Sequence, residues 1–530
     1  MGEIASKTDF YKTVHPDMHN KDTTVVMNNL TGRRSMIQGV NDIIVFGNQY
    51  YIKKYLLEEW QLKFFFRKKA DVIGKFKRLM DHTLGKDVVG TQHLIDLHDL
   101  GFIPMEMRAL PEGSRCPIGV PCIVMTTTHG KKFSWVTQYL ESIFSCIIWK
   151  PITSATIADN FHTLLMNWAK KTCNDGAYDF VKFQAHDFSF RGMPGVECAE
   201  LSGAAHLLSF YGTDTIPAIE FLEEWYGADI EKEMVGTSVP ATEHAVMCLR
   251  TGIFLKVDGG DWDKYGEAEF KVFESLLDQY PTGILSVVSD TWNLWTVLTE
   301  FLPRLKDKIM ARDGKLVIRP DSGDPADIVC GFEGKTSESF HKGIDTIAKA
   351  ARYFKKSESE IKGVVELLYD TFGGTTNERG HIELDSHIGC IYGDSITYQR
   401  ANNILQRLSN KGFASNNIVF GVGSFTYQYN TRDTFGFAVK ATYGEVEHEG
   451  KIIPVEIFKD PITDDGTKKS ARGITVVNKD VNGKFILKDQ ATWEEYNSET
   501  NELKVVFLDG KLIKDQTLNE IRNQLHESKS

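Results

Sequence analysis

The sequence predicts an α/β fold of barrel type with a second, β-rich region, and three observations carry that prediction. Short apolar runs end abruptly in charged or turn residues. Residues 316–318 give way to Arg319, Asp321 and the turn 322–325, and residues 285–288 give way to Ser289 and Asp290. Such runs read as buried strands with a loop at the carboxyl end. Helical patterns follow them: 292–305 comes after Asp290, and Ala401, Ile404, Leu405 and Leu408 share one face after the run 388–394. The run 418–423 ends in glycines. From about residue 430, short extended runs (437–442, 452–458, 473–477, 504–507) alternate with turns instead. Strands that deliver polar residues at their carboxyl ends are the layout of a βα-barrel site. An open α/β sheet also places its site beyond the strand ends, so the barrel is favoured and the sheet stays open as an alternative.

The remaining elements follow in chain order. Ile52, Leu56, Trp60 and Phe64 stand at helical spacing within 44–83 and predict core-facing amphipathic helices. Residues 102–127, broken at 111–113 and 117–119, predict hairpins. Residues 133–149 and 154–172 predict two helices on either side of Pro151. Residues 184–192 put His186, Asp187 and Arg191 beside Phe188 and Phe190, and 238–244 opens a further helix. The charged stretch 335–362 reads as an excursion from the barrel.

At 530 residues the chain exceeds one ordinary core and predicts two domains. With a formal net charge of −11, a broad nucleic-acid footprint is not expected. Eight scattered cysteines without a Cys-x-x-Cys pair, and no secretory leader, predict reduced thiols in a cytosolic protein. No run approaches the ~18 apolar residues of a membrane span. The loose myristoylation pattern at 1–6 and the sequon at Asn29 lack supporting context.

The strand-end loops collect Asp214, Asp290, Asp321 and Asp394 with Arg191, Arg319 and Arg432. Carboxylates and guanidiniums together suit a polyanionic, hydroxyl-rich ligand, because arginine grips phosphate bidentately while aspartate accepts from sugar hydroxyls or holds Mg2+. Each of these residues alone could serve in a surface ion pair; their shared place at strand ends argues for a site. No Walker A loop, zinc spacing or nucleophile elbow occurs. His186 and His244, read singly, are structural histidines. Residue chemistry therefore reads as an α/β enzyme acting on a phosphorylated sugar.

A longer pattern narrows this. The strings 9–12, 45–50, 110–113, 186–192, 212–215, 238–244, 286–290, 318–325, 393–394, 418–423, 431–433 and 458–461 resemble, in order, those of the nicotinamide phosphoribosyltransferases. The resemblance implies the type II phosphoribosyltransferase fold. That is an irregular α/β barrel (151–429) with a β-rich α+β domain built from both chain ends (1–150 with 430–530). It implies transfer of phosphoribosyl from phosphoribosyl pyrophosphate to nicotinamide, with Mg2+, ATP as a coupled activator, and a homodimer whose sites lie at the interface.

By the same resemblance Phe188 and Tyr11 of the other subunit sandwich the pyridine ring, Asp214 accepts the amide N–H, and Arg319 meets the amide carbonyl. Asp321, Asp394 and Gly393 bind ribose, and Arg191, Gly423 and Ser424 surround the 5′-phosphate. Arg33, Arg432, Lys440 and Lys459 receive the diphosphate, Asp290 helps position Mg2+ or its waters, and His244 is the residue phosphorylated when ATP is coupled. The chain departs from the pattern at Gly423-Ser424-Phe425, where animal-type members carry a longer glycine run, along 335–362, and at Thr242, where alanine is usual. Two alternatives remain: a phosphoribosyltransferase for nicotinate, which would want a cation in place of Asp214, and a non-catalytic binding protein on the same fold. An aldolase-type barrel is disfavoured, because no strand-end lysine stands out as a Schiff-base candidate.

Overall fold

The computed structural model describes residues 3–333, 355–459, 462 and 471–527. The four strands read from apolar runs are present as Thr282–Val288, Asp313–Arg319, Ile388–Tyr392 and Ile418–Val422, and Ala185–Asp187 and Gly212–Thr213 join them. Around the sheet the order is Gly212, Ala185, Ile418, Ile388, Asp313, Thr282. Every neighbouring pair is parallel.

The two edges of this sheet meet through residues 237–242. Thr237 pairs with Gly212 and Ala241 with Ser286, both in parallel. The Thr213 N–H donates to the Thr237 carbonyl at 2.9 Å, and the Ser286 N–H to the Pro240 carbonyl at 2.9 Å. Pro240 has no N–H of its own, so this stave bonds at scattered points and carries no regular ladder. The ring nevertheless closes, which decides between barrel and open sheet. Consecutive strands are neighbours all the way round, joined by crossovers such as Val196–His206, Ile216–Tyr226 and Tyr398–Asn410, as parallel pairing requires.

A second, antiparallel sheet of seven strands lies apart from the barrel. Its centre pairs Thr23–Thr31 with Ala438–His448 on one side and Pro121–Thr127 on the other, so the two ends of the chain interleave in one sheet. Pro121–Thr127 is buried at every residue. The predicted extended runs after residue 430 appear here as Ala438–His448, Lys451–Glu456 and Lys504–Leu508, with Ile474–Lys479 in a separate hairpin. Ile52, Leu56, Trp60 and Phe64 are all buried, as their spacing predicts.

One helix ties the two sheets together and corrects the expectation of a break at Pro151. Val136–Thr172 is a single 37-residue helix with Pro151 inside it. Its first half sends Tyr139, Leu140, Phe144 and Ile148 into the core around the antiparallel sheet. Its second half sends Phe161, Leu165 and Trp168 into the barrel core. A proline in a helix interior costs about 3 kcal/mol, and burial on both sides of it outweighs that local preference. Gly47, at φ 97°, makes room for the ring, since a Cβ there would lie 2.5 Å from Pro151 Cγ.

Residues 335–354 of the charged stretch lie outside the described residues, as do Asp460 and Pro461; Glu358–Lys362 is a short helix. Among the described residues no helix is long and apolar enough to cross a membrane.

Thr242 reinforces the closure, because its Oγ1 accepts the buried Val288 N–H at 2.9 Å. Thr242→Val keeps the shape and strands that N–H, so it is expected to cost about 1–3 kcal/mol. Denaturant unfolding measures the loss, and an unchanged midpoint would contradict the closing role given to this stave.

Candidate active site

All seven staves point the same way, so their carboxyl ends gather at one rim. Phe188, Asp214, Thr242 and Glu243, Arg319 and Asp321, and Gly393 leave the ladder there and line a cleft of about 550 Å3 together with Phe190, Arg191 and Val246. Beneath it the barrel interior holds a further cavity of about 420 Å3. Interiors of such barrels are normally filled by side chains; here small residues at Gly212, Ala241, Ser286 and Gly389 leave the lumen open between Ile284, Val317, Ile391 and Val419. Phe188, Asp214, Ala241 and Arg319 border both spaces. They form the neck between cleft and lumen.

Phe188 is held at the neck by the absence of side chains behind it. A Cβ on Gly421 would sit 2.6 Å from Phe188 Cδ2 and 2.7 Å from Gly393 Cα. Gly421 therefore seats an aromatic ring against the barrel wall, a role its place in a glycine-rich strand end did not reveal. His186 lies on the same ring, with centroids 4.7 Å apart. Asp187 is wholly buried. Its Oδ1 accepts the Ser189 N–H at 2.9 Å and its Oδ2 the Thr215 hydroxyl at 2.8 Å, which ties the Phe188 loop to the Asp214 loop.

Asp214 is the best-defined charge in the cleft. His186 Nε2 lies 2.8 Å from its Oδ1, and the Ser238 hydroxyl donates to the same oxygen at 2.6 Å. Burial pushes the carboxyl pKa up, but the hydrogen bonds from His186 and Ser238 and the charges of His186 and Arg319 outweigh it, and the net shift is downward. Asp214 thus stays ionised. Both of its partners take Oδ1, so Oδ2 is the oxygen offered to a ligand. His186 and Ser238 are site residues that sequence reasoning missed as such; His186 looked structural because its partner lies 28 residues away in the chain.

Arg319 faces this carboxylate from the neighbouring side of the neck. Burial pushes its pKa down against the charges of Asp321, Asp214 and Asp290. Its Nε is buried with no hydrogen-bond partner among the described residues. The guanidinium also lines the cleft, so Arg319 brings a cationic donor group to its wall.

Asp290 is turned toward protein donors. Its Oδ1 lies 3.2 Å from His244 Nε2, and its Oδ2 accepts the Asp321 N–H at 2.9 Å and the Ser322 hydroxyl. It locks the His244 helix to the Asp321 loop. Asp394 and Ser424 follow the last residues of their strands, and Ser424 Oγ approaches Gly192 so closely that a Cβ there would meet it at 1.7 Å. Gly423 leads into the short helix Ser424–Tyr427. The Arg191 loop, which lines the cleft, thus packs against the Gly423–Ser424 turn.

Ten of the sixteen predicted residues do not line this cleft, and five of them, His244, Asp290, Asp394, Gly423 and Ser424, stand in the loops beside it. The other five, Tyr11, Arg33, Arg432, Lys440 and Lys459, are absent from its walls and form a second cluster against the antiparallel sheet. Lys440 pairs with Asn29 across that sheet. Burial, Arg33, Lys459 and Arg432 push the Lys440 pKa down, against the charge of Glu141. Tyr11 is 60% exposed and feels the charge of Arg432. One chain therefore holds the predicted residues in two separate groups.

Comparison with known proteins places the chain among its relatives. The model of the nicotinate phosphoribosyltransferase (NAPRTase) family matches residues 183–511. The chain is 44% identical over 529 residues to the nicotinamide phosphoribosyltransferase of Acinetobacter baylyi, covering 98% of this chain and 96% of that one. It is 32% identical over 487 residues to the protein of the same name from Mycoplasma pneumoniae, covering 88% and 93%. Among solved structures, a nicotinate-nucleotide pyrophosphorylase from Pyrococcus furiosus shares the fold with a TM-score of 0.52 at 14% identity, covering 99% of this chain and 95% of that one.

A depressed carboxyl pKa means that the Asp214 charge is present above the ordinary value of about 3.9 and is lost only as pH falls through the lower folded value. Isotope-edited infrared titration is expected to place the Asp214 midpoint below that ordinary value, and Ser238→Ala to raise it. A midpoint that Ser238→Ala leaves in place would contradict the network.

Proposed function

The chain belongs to the nicotinate phosphoribosyltransferase family, and from that premise we propose that its cleft joins nicotinamide to C1 of phosphoribosyl pyrophosphate. The products are nicotinamide mononucleotide and pyrophosphate, a salvage step toward NAD. The observation that carries the choice of base is the pairing at the neck. An ionised Asp214 offers Oδ2 as an acceptor, and the Arg319 guanidinium on the cleft wall offers a cationic donor. A carboxamide brings one N–H and one C=O to such a pair. A carboxylate would bring a second negative charge against Asp214.

The chemistry follows from the rim. Phe188 supplies one face for a flat heteroaromatic ring. The ring nitrogen attacks C1 as the bond to the diphosphate oxygen breaks, and no base is needed because that nitrogen carries no proton. Asp321 and Asp394 lie where positive charge develops on the sugar, and preorganised carboxylates stabilise it without reorganising. Arg191, Gly423 and Ser424 take the 5′-phosphate end, and holding ring and sugar in line supplies much of the acceleration.

Magnesium, when bound with the diphosphate, supplies positive charge to the leaving group. Among the described residues no three histidine, cysteine or carboxylate side chains converge as a metal cage, and Asp290 is taken up by protein donors. Mg2+ usually keeps several waters and binds through one or two carboxylates plus substrate phosphates. The residues present fit that mode, with Asp321 and Asp394 as the groups that would hold its waters.

The partner assignments belong to the same reading. The basic cluster of Arg33, Arg432, Lys440 and Lys459 and the exposed ring of Tyr11 are supplied to the cleft by a second copy of the chain, which makes the enzyme a homodimer with two shared sites. The separation of the two groups on one chain supports this. ATP acts through His244: with Nε2 engaged by Asp290, Nδ1 is the nitrogen that accepts the γ-phosphoryl group as ADP leaves. A cytoplasmic location fits the eight unpaired thiols.

Pyrophosphate release from phosphoribosyl pyrophosphate and Mg2+, run with nicotinamide and nicotinate in parallel, tests the function. Release with nicotinamide is expected, and Asp214→Asn is expected to lower the preference for nicotinamide by about tenfold or more. Release with nicotinate alone would overturn the choice of base. Silence with both would favour a binding protein.

A further inference from the structure

Arg400 stands between two rim loops that serve different parts of the same substrate. It lies in the first turn of the Tyr398–Asn410 helix, where Thr397 Oγ1 caps its N–H at 3.2 Å. Its guanidinium Nη1 donates to the Ser395 carbonyl. Ser395 follows Asp394 and sits at φ 51°, a left-handed conformation that a side chain rarely adopts without support. The same guanidinium lies over the Phe425 ring, with Cζ 5.6 Å from the centroid, within reach of a cation–π contact. Phe425 follows Ser424 and stacks on Tyr429 at 4.9 Å with a 23° tilt. A second tie joins the same two segments, since the Thr426 hydroxyl donates to the Ile396 carbonyl at 2.9 Å.

We propose that Arg400 is a positioning residue for phosphoribosyl pyrophosphate, clamping the Asp394 loop to the Ser424–Phe425 turn. The assignment rests on the reading of the cleft given above, in which Asp394 meets the ribose and Ser424 the 5′-phosphate. Those two contacts recognise a rigid distance within one sugar phosphate, so the spacing between the loops sets how well both are made at once. Arg400 holds that spacing from both sides, by a hydrogen bond on the strained residue after Asp394 and by its contact with the ring after Ser424. A longer glycine run at the turn would have no ring for the guanidinium to grip. Phe425 gives this chain a turn that Arg400 can hold from outside. The clamp leaves the neck untouched, because neither Arg400 nor Phe425 lines it. Base recognition is therefore independent of it.

Binding of phosphoribosyl pyrophosphate with Mg2+, read by calorimetry on the full chain, tests this without needing turnover. Arg400→Ala is expected to weaken binding by about tenfold, the loss of one charge-assisted hydrogen bond. Arg400→Lys, which keeps a donor and a cation, is expected to recover most of it. Phe425→Leu removes the ring and is expected to weaken binding even where Arg400→Ala fails to fold. The Arg400→Ala/Phe425→Leu double variant is expected to be no worse than the poorer single one, because both break one clamp. In turnover, the KM for phosphoribosyl pyrophosphate should rise while the KM for nicotinamide stays within about twofold. Unchanged sugar-phosphate binding in all variants, additive losses, or equal rises in both KM values would overturn the clamp. Wild-type protein that binds phosphoribosyl pyrophosphate and releases no pyrophosphate with either base would instead sink the reading of the cleft and leave the binding comparison to judge Arg400.

Discussion

The site depends first on six parallel strands and the stave 237–242 closing into a ring. Parallel strands need a crossover between each pair, so every strand must end at the same rim before its helix begins. Residues just past the ladder then converge, whatever their separation in the chain. Asp214, Arg319 and Gly393 come from three different strands and line one cleft for this reason. The closing stave is also the weakest one. Residues 237–242 carry Pro240 and bond at scattered points, yet Ser238 and Ala241 bring a hydroxyl to Asp214 and a small side chain to the neck.

Charge is arranged at the rim so that each buried group is held before a ligand arrives. Asp187 and Asp290 face the protein, each spending both oxygens on donors from neighbouring loops. They fix where the loops stand. Asp214 and Arg319 line the cleft instead, and Asp214 keeps Oδ2 free of protein donors. That division between structural and ligand-facing charges is what preorganisation requires, since groups aimed in advance cost nothing to reorient during reaction.

Much of this was legible in the sequence, and the reasons differ residue by residue. The strands at 285, 316, 388 and 418 were readable because buried parallel strands are continuous apolar runs, and the turn chemistry at their ends marked the rim. Residues 237–242 gave no such signal, because a stave that contains Pro240 and shares its bonds between two edges need not be apolar. The helix Val136–Thr172 was misread at Pro151, where tertiary burial overrides a local rule. Gly421 read only as one of the glycines that end the run 418–423, and its packing under Phe188 is a contact between distant strands. Thr242 carried no weight as a conservative difference, although its hydroxyl holds Val288. His186 and Ser238 became site residues only when Asp214 was seen between them.

The least expected feature is the division of cationic residues between the barrel rim and the antiparallel sheet. Arg191 and Arg319 line the cleft, while Lys440 and its basic neighbours crowd together against the antiparallel sheet. Crowding like charges costs stability unless an anion is to be met there. The proposed pairing of two chains brings that cluster, and Tyr11 with it, to the rim of a partner, so each site is finished by the other copy. The direct test is activity in mixed dimers of a Tyr11→Ala chain and a Phe188→Ala chain, each inactive alone, with mixing verified by mass. The account predicts that activity returns, because each mixed dimer holds one site with both rings intact. Verified mixed dimers without activity would contradict it.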